Sequence, residues 1–409
     1  MQIAPEDRTT IRDLARRVAE IAALPAMSER REMWKRHNSL RRVRPMVLVF
    51  PEGAWRELLP RSVLRCRSDD ARRIEWELRR RIYHHENLHD DTVIEAEWFV
   101  DAAIDATGWG LEPRWRPSAQ PNGAKGFDPV ITSPADLKKL RYPEYAYDED
   151  ATRRNHERID QLLGDILAVK RRGVRHVSFH LMSLYTARRG LAEAMLDMAA
   201  DPQMVHEAIA FFAEGERRRV AFYRDSGLLS LNNDSTYHSS GGNGYTDELP
   251  ADGFDPARVR TADMWASAES QEMAQVSPEM HAEFCLAYEK PLLEPFALTG
   301  YGCCEDLTRK LDDVLTIPNI RRVSISPWAD VDACAEKLAG RCVFSWKPQP
   351  AHVCDPFDPG RIREYIRHAI GATRGCVVEM ILKDTHTCDN RPERFTQWTD
   401  IARQLVEAA

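Results

Sequence analysis

The sequence predicts an α/β protein, a (β/α)8 TIM-type barrel with an N-terminal helical extension, on three observations. From residue 46 onward, short apolar runs rich in Val, Ile and Phe alternate at least five times with long amphipathic stretches. The runs are continuous rather than alternating, the pattern of parallel strands covered by helices on both faces. No Gly-x-Gly-x-x-Gly follows a strand and no Walker loop occurs, which weakens the open nucleotide-binding sheet as an alternative.

The elements follow in order. Thr9 to Ala26 sets Ile11, Leu14, Val18, Ile21 and Ala22 at helical spacing, so residues 1–45 are expected to be a helical extension and 46–409 the barrel. The first fifty residues hold eleven Lys/Arg against six Asp/Glu, concentrated around Arg30, Arg31, Lys35, Arg36, Arg41, Arg42 and Arg44. A solvated helix face or dimer rim accounts for that more simply than an anion site does. Strands are expected in 46–53, 176–183, 228–235, 295–305, 321–330, 341–350 and 375–386. The helix before 228 is marked by Asp201 as its cap and Pro202 in its first turn.

Composition narrows the function classes. The 409 residues are 43% hydrophobic and 30% charged, which suits a globular protein and excludes a disordered chain or one built around membrane spans. A net charge of −7 argues against general nucleic-acid binding. The start has no apolar core followed by a small-residue cleavage site, so a cytoplasmic protein is expected. Nine cysteines are too few for a disulfide scaffold and are packing residues, nucleophiles or metal ligands.

Barrel enzymes carry their chemistry at the carboxyl ends of the strands. After 228–231 come Asn232, Asn233, Asp234 and Ser235, then Tyr237, His238 and a loop in which Gly241, Gly242 and Gly244 fit a flexible turn or a lid. After Leu298 come Tyr301, Cys303, Cys304 and Glu305; the adjacent thiols suit a metal or a nucleophile, or simply small buried side chains. The last run delivers Glu379, Lys383, Asp384 and His386, the first two on one strand face, where they could form a core ion pair. Glu52, Trp328, Trp346 and Lys347 follow other runs as candidate substrate contacts or cavity walls.

With these residues in view, the chain resembles the uroporphyrinogen decarboxylase superfamily over roughly residues 45–405, through SLNND, SGGxGYTDELP, YGCCE, SPWAD and LKDTH. The resemblance implies the same barrel, a cleft at the strand ends and a homodimer. The superfamily's zinc methyltransferases carry His-x-Cys-Gly and a later Leu-Ser-Pro-Gly-Cys. Here Tyr301-Gly302-Cys303-Cys304 stands in the first place and Leu382-Lys383-Asp384-Thr385-His386 in the second. Asn233-Asp234-Ser235 resembles the decarboxylases' Phe-Asp-Ser, but their Met-Arg-Gln-Ala-Gly-Arg element is absent. Uroporphyrinogen is therefore not the expected substrate.

Two enzyme functions are implied. The first is a methyltransferase acting on a small molecule, with zinc on Cys303, His386 and one or both of Cys304 and Glu379, and a corrinoid protein as partner. The second is a metal-free carboxy-lyase using Asp234 with His386 or Tyr301. In either, Glu52, Asn232, Asn233, Ser235, Tyr237, Trp328 and Lys347 are expected to touch substrate. A non-catalytic barrel is the third class.

Overall fold

A computed structural model describes residues 3–118, 126–238 and 241–409. Its centre is a wholly parallel sheet of seven strands: β1 (Met46–Val49), β2 (Ser178–Phe179), β3 (Trp265–Ala268), β4 (Leu298–Tyr301), β5 (Ile320–Ile325), β6 (Val343–Trp346) and β7 (Val377–Leu382). They lie in the order β1-β7-β6-β5-β4-β3-β2. Five of the runs expected as strands enter this sheet after β1, and helices follow most of them, as continuous apolar patterning requires. Strand β1 shows why alternation is lost: Val47 and Val49 join one apolar cluster while Met46 and Leu48 join another.

Two strand expectations are corrected. The run at 228–231 forms only an isolated parallel bridge between Leu229 and Val174. The buried Asn232 side chain donates to the carbonyls of Arg175 (2.8 Å) and Trp265 (2.9 Å) and accepts the Trp265 N–H (2.9 Å), which fastens the run across neighbouring backbone. In its place Trp265–Ala268, not anticipated, supplies β3.

Nor does the expected eight-stranded ring close, because no pairing among the described residues joins β1 to β2. The outer edge of β1 is satisfied by carboxylates. The Val47 N–H donates to Asp91 (2.8 Å), the Val49 N–H donates to Asp90 (2.9 Å), and the Asp91 N–H returns to the Val47 carbonyl (2.8 Å). Arg44 and Arg403 neutralise Asp91 at 2.6 and 2.5 Å. Three two-stranded pieces, 97–101 with 168–172, 103–106 with 145–148 and 114–116 with 126–128, lie between β1 and β2 in sequence.

The N-terminal region is two helices, α1 (Pro5–Ala22) and α2 (Pro25–Asn38). Pro25 cannot continue α1 and instead opens α2. Ile11, Val18 and Trp34 share an apolar cluster with Met46, Leu48 and Ile381 of the sheet. At the end of α2 the Asn38 side chain donates to the Tyr245 carbonyl (2.8 Å) and accepts from Arg322 (2.6 Å). Among the described residues no helix is long and apolar enough to cross a membrane.

Candidate active site at the carboxyl ends of the strands

Five strand ends converge on one group of ionisable side chains. Past β4 the chain turns at Gly302, whose φ of +90° is open to glycine and strained for other residues. That turn presents Cys303 and Cys304, and Glu305 pins it by accepting the Cys303 N–H at 2.7 Å and the Ser270 N–H at 3.4 Å. Past β7 come Lys383 and Asp384. Thr385 donates to the Pro51 carbonyl (2.7 Å) and so ties the end of β7 to the end of β1. Glu52 and Asp384 both hold left-handed backbone, at φ +46° and +58°, and the Glu52 carboxylate takes the Asp384 N–H. Strained backbone at two facing strand ends is the kind concentrated at functional sites.

The sulfurs of Cys303 and Cys304 are 3.5 Å apart. Lys383 Nζ lies 3.7 Å from the Cys303 sulfur, and an Asp384 carboxylate oxygen lies 3.5 Å from the Cys304 sulfur. The pair is electrostatically unequal. The hydrogen bond from Cys304 lowers the Cys303 pKa, with the Lys383 charge helping against burial. The same bond, added to burial, raises Cys304. Cys303 is the more acidic thiol of the pair and Cys304 the less acidic one that supports it. Burial opposes the charge on Lys383, but Tyr237 and Cys303 beside it outweigh burial and raise its pKa.

Beyond β2 and β3 stand two residues the sequence reading missed. His180 Nδ1 is hydrogen-bonded to Glu269, and Gln271 donates its N–H to the other Glu269 oxygen at 2.8 Å. Burial lowers the His180 pKa, yet the bond to Glu269 overrides it and Cys303 adds to the rise. Glu272 is pushed up to about 7 by burial and by Glu269. His180 lies inside the run 176–183 expected as a strand; the strand ends earlier, at Phe179, which puts His180 at its carboxyl end. Glu269 follows the unrecognised β3.

Several expected site residues lie elsewhere. Glu379 sits deeper in the sheet, bonded to Ser345 Oγ and to the Gly242 N–H (2.7 Å), with Arg322 Nε at 3.1 Å. The anticipated core pair is thus Glu379 with Arg322, not with Lys383. Lys347 is buried above it and donates to Ser345 Oγ at 2.6 Å. Tyr301 is fully buried behind β4, donating to Glu289 (2.8 Å) and meeting His281 (2.9 Å), away from the thiols. Asp234 bonds Thr236 and lies 3.8 Å from Arg175. Asn232 and Asn233 hold backbone, Asn233 through the Leu249 carbonyl at 2.7 Å, while Ser235 is exposed. Trp328 is 69% exposed, whereas Trp346 is buried against Tyr365 at 5.1 Å. Tyr237 does approach the group, stacked edgewise on Phe50 at 4.9 Å. Gly241, Gly242 and Gly244 are buried within the sheet's concavity rather than arched over it as a lid.

The four side chains expected to hold zinc are therefore divided: Glu379 is committed to Arg322 and Ser345, and His386 is exposed in a loop against Gly53. Among the described residues no group of three or more His, Cys, Asp and Glu side chains is gathered as a metal site. As arranged they do not fit zinc, and the chemistry below is built on the side chains alone.

Fold and site together define an α/β protein with a thiol pair, a lysine and a His–Glu pair at the carboxyl end of a parallel sheet. No family model matches the chain. A search of curated proteins likewise finds no match. Among solved structures, a methyltransferase from Methanosarcina mazei is similar at 10% identity and a TM-score of 0.37, over 65% of this chain and 73% of that one. A likeness that loose carries no argument about chemistry.

Proposed function

We propose that the protein is a group-transfer enzyme of the methyltransferase type, in which the Cys303 thiolate takes a methyl group from a small molecule. One observation carries the reading: two sulfurs 3.5 Å apart, with an ammonium 3.7 Å from one and a carboxylate 3.5 Å from the other. This arrangement keeps the nucleophilic form of Cys303 populated, with a proton-bearing thiol beside it. In the step, a sulfur lone pair forms the S–C bond while the bond from carbon to its heteroatom breaks. The heteroatom leaves with that pair and takes the proton of the His180 imidazolium, which Glu269 orients. Relieving the resulting thioether requires an acceptor more nucleophilic than a thiolate. A reduced corrinoid on a partner protein belongs to that class and would come from outside this chain.

The test is transfer of isotopically labelled methyl from a panel of methylated amines, sulfides and aryl ethers. Label is expected on the Cys303 peptide, reduced in Cys304→Ala and absent in Cys303→Ala. Label on no cysteine, or undiminished labelling in Cys303→Ala, refutes the reading.

A metal-free carboxy-lyase is the second reading, favoured by the proton donors at the same place: Glu272, held at about 7 by burial and Glu269, and His180. Lys383 would hold the substrate carboxylate. Carbon dioxide released from candidate acids in the presence of chelator, retained in Cys303→Ala and lost in Lys383→Met, would select it over methyl transfer.

A further inference from the structure

A cavity of about 960 Å³ opens at the amino ends of β1 and β7, the opposite end of the sheet from Cys303, and none of the chemistry above uses it. Arg42, Arg44, Arg367 and Arg374 line it, over apolar floor and walls that include Val378 and Leu405. Its volume is that of a cavity for a small organic ligand.

The charges in it are unevenly matched. Arg44 is taken up by Asp91 at 2.6 Å. Arg403 pairs with Asp91 and with Glu407, whose carboxylate lines the cavity, at 2.5 Å each. Those two guanidiniums and two carboxylates cancel. Arg42, Arg367 and Arg374 have no ion-pair partner among the described residues; set against the main-chain carboxylate of Ala409, which also lines the cavity, they leave an excess of about two positive charges on a protein whose net charge is −7. Arg42 and the buried Cys376 line the same cavity. The helices Pro359–Ala372 and Glu393–Glu407 both end at the cavity, and their dipoles together amount to roughly one negative charge, which the excess of guanidinium charge outweighs.

Planar guanidiniums suit bidentate pairing with phosphate oxygens, and the apolar walls suit a ring or chain attached to them. We propose that this cavity is a second, non-catalytic binding site for a phosphate-bearing organic anion of the nucleoside diphosphate class. Arg42 and Arg374 grip the phosphates, and the Val378 and Leu405 side contacts the body.

Calorimetric titration of the full chain at low ionic strength tests this, with ADP as probe and pyrophosphate and adenosine as its two halves. The expected result is binding of ADP, weaker binding of pyrophosphate and none of adenosine. Arg42→Ala/Arg374→Ala should weaken ADP at least about tenfold, Arg42→Lys/Arg374→Lys should weaken it less, and Cys303→Ala should leave it unchanged. Both arginines are exposed, so an unchanged melting temperature of the free double variant shows that the loss is not unfolding. No binding of ADP or pyrophosphate overturns the proposal, as does equal affinity in the double alanine variant or loss in Cys303→Ala.

Discussion

Cys303 and Cys304 are neighbours in sequence whose pKa values are driven in opposite directions, because each is the other's largest electrostatic influence. Deeper in the sheet the same principle acts on a buried ion pair. Arg322 and Glu379 are both fully buried, 3.1 Å apart; Ser345, Asn38 and the Gly242 N–H bond part of the pair, while Arg322 Nη1 and Glu379 Oε2 find no hydrogen-bond partner among the described residues. A buried pair adds little net stability, but removal of one partner strands the other charge. Glu379→Gln should therefore destabilise the protein by about 3–5 kcal/mol in chemical unfolding, a loss that Arg322→Met/Glu379→Met recovers in large part. At this scale the sequence was half legible. Residues directly after apolar runs, such as Cys303 and Lys383, could be located. The partner of Glu379 could not, because Arg322 lies on a strand more than fifty residues away and its face depends on register. Tyr301 shows the converse. It sits one residue before a glycine with φ of +90°, and that turn separates its buried hydroxyl from the thiols that follow.

The elements show where apolar patterning suffices and where it fails. Strand β1 is a continuous run of large apolar side chains, and β6 and β7 are nearly so, each broken by one polar residue; β5, Ile-Arg-Arg-Val-Ser-Ile, is legible mainly from its β-branched residues. Strand β3, Trp-Ala-Ser-Ala, offers little apolar bulk to recognise, although all four residues are buried. The run at Leu228–Leu231 has the right composition yet stops at one bridge, because the Asn232 side chain replaces further ladder bonds. Ring closure was equally invisible, since the edge of β1 is satisfied by Asp90 and Asp91 rather than by a strand. The glycine segment following Asn232 is packed so closely that substitution measures its confinement. A Cβ at Gly244 would meet the Asn232 carbonyl at 1.9 Å, and neither backbone can yield cheaply. Gly244→Ala should cost about 1–3 kcal/mol or more by overpacking, whereas Ala at Gly340 would forfeit only the backbone preference of φ +69° in open space.

Across the whole molecule the sheet separates two electrostatic regimes, a thiol-bearing mouth at the carboxyl ends and an arginine-lined cavity at the amino ends. Between them burial pushes the Lys347 ammonium down to about 7 from its ordinary 10.5, against the attraction of Glu379. The sign follows from proton binding. Between pH 7 and 10.5 the unfolded chain holds this proton and the folded chain does not, so the contribution of Lys347 to stability rises with pH in that window. The difference in unfolding free energy between wild type and Lys347→Met should shift in favour of wild type by about 1.4 kcal/mol per pH unit there, and stay flat below it. A difference independent of pH would show that Lys347 remains charged in the fold.

The acidity of Cys303, poised by Cys304 and Lys383, is read most directly from the pH dependence of iodoacetamide alkylation at each cysteine, followed by peptide mass spectrometry. Cys303 should react first, with a midpoint below the 9.0 of an ordinary thiol, and Cys304→Ala should slow it about tenfold at neutral pH. A Cys303 midpoint at or above that of an ordinary thiol, unmoved by Cys304→Ala, would contradict this.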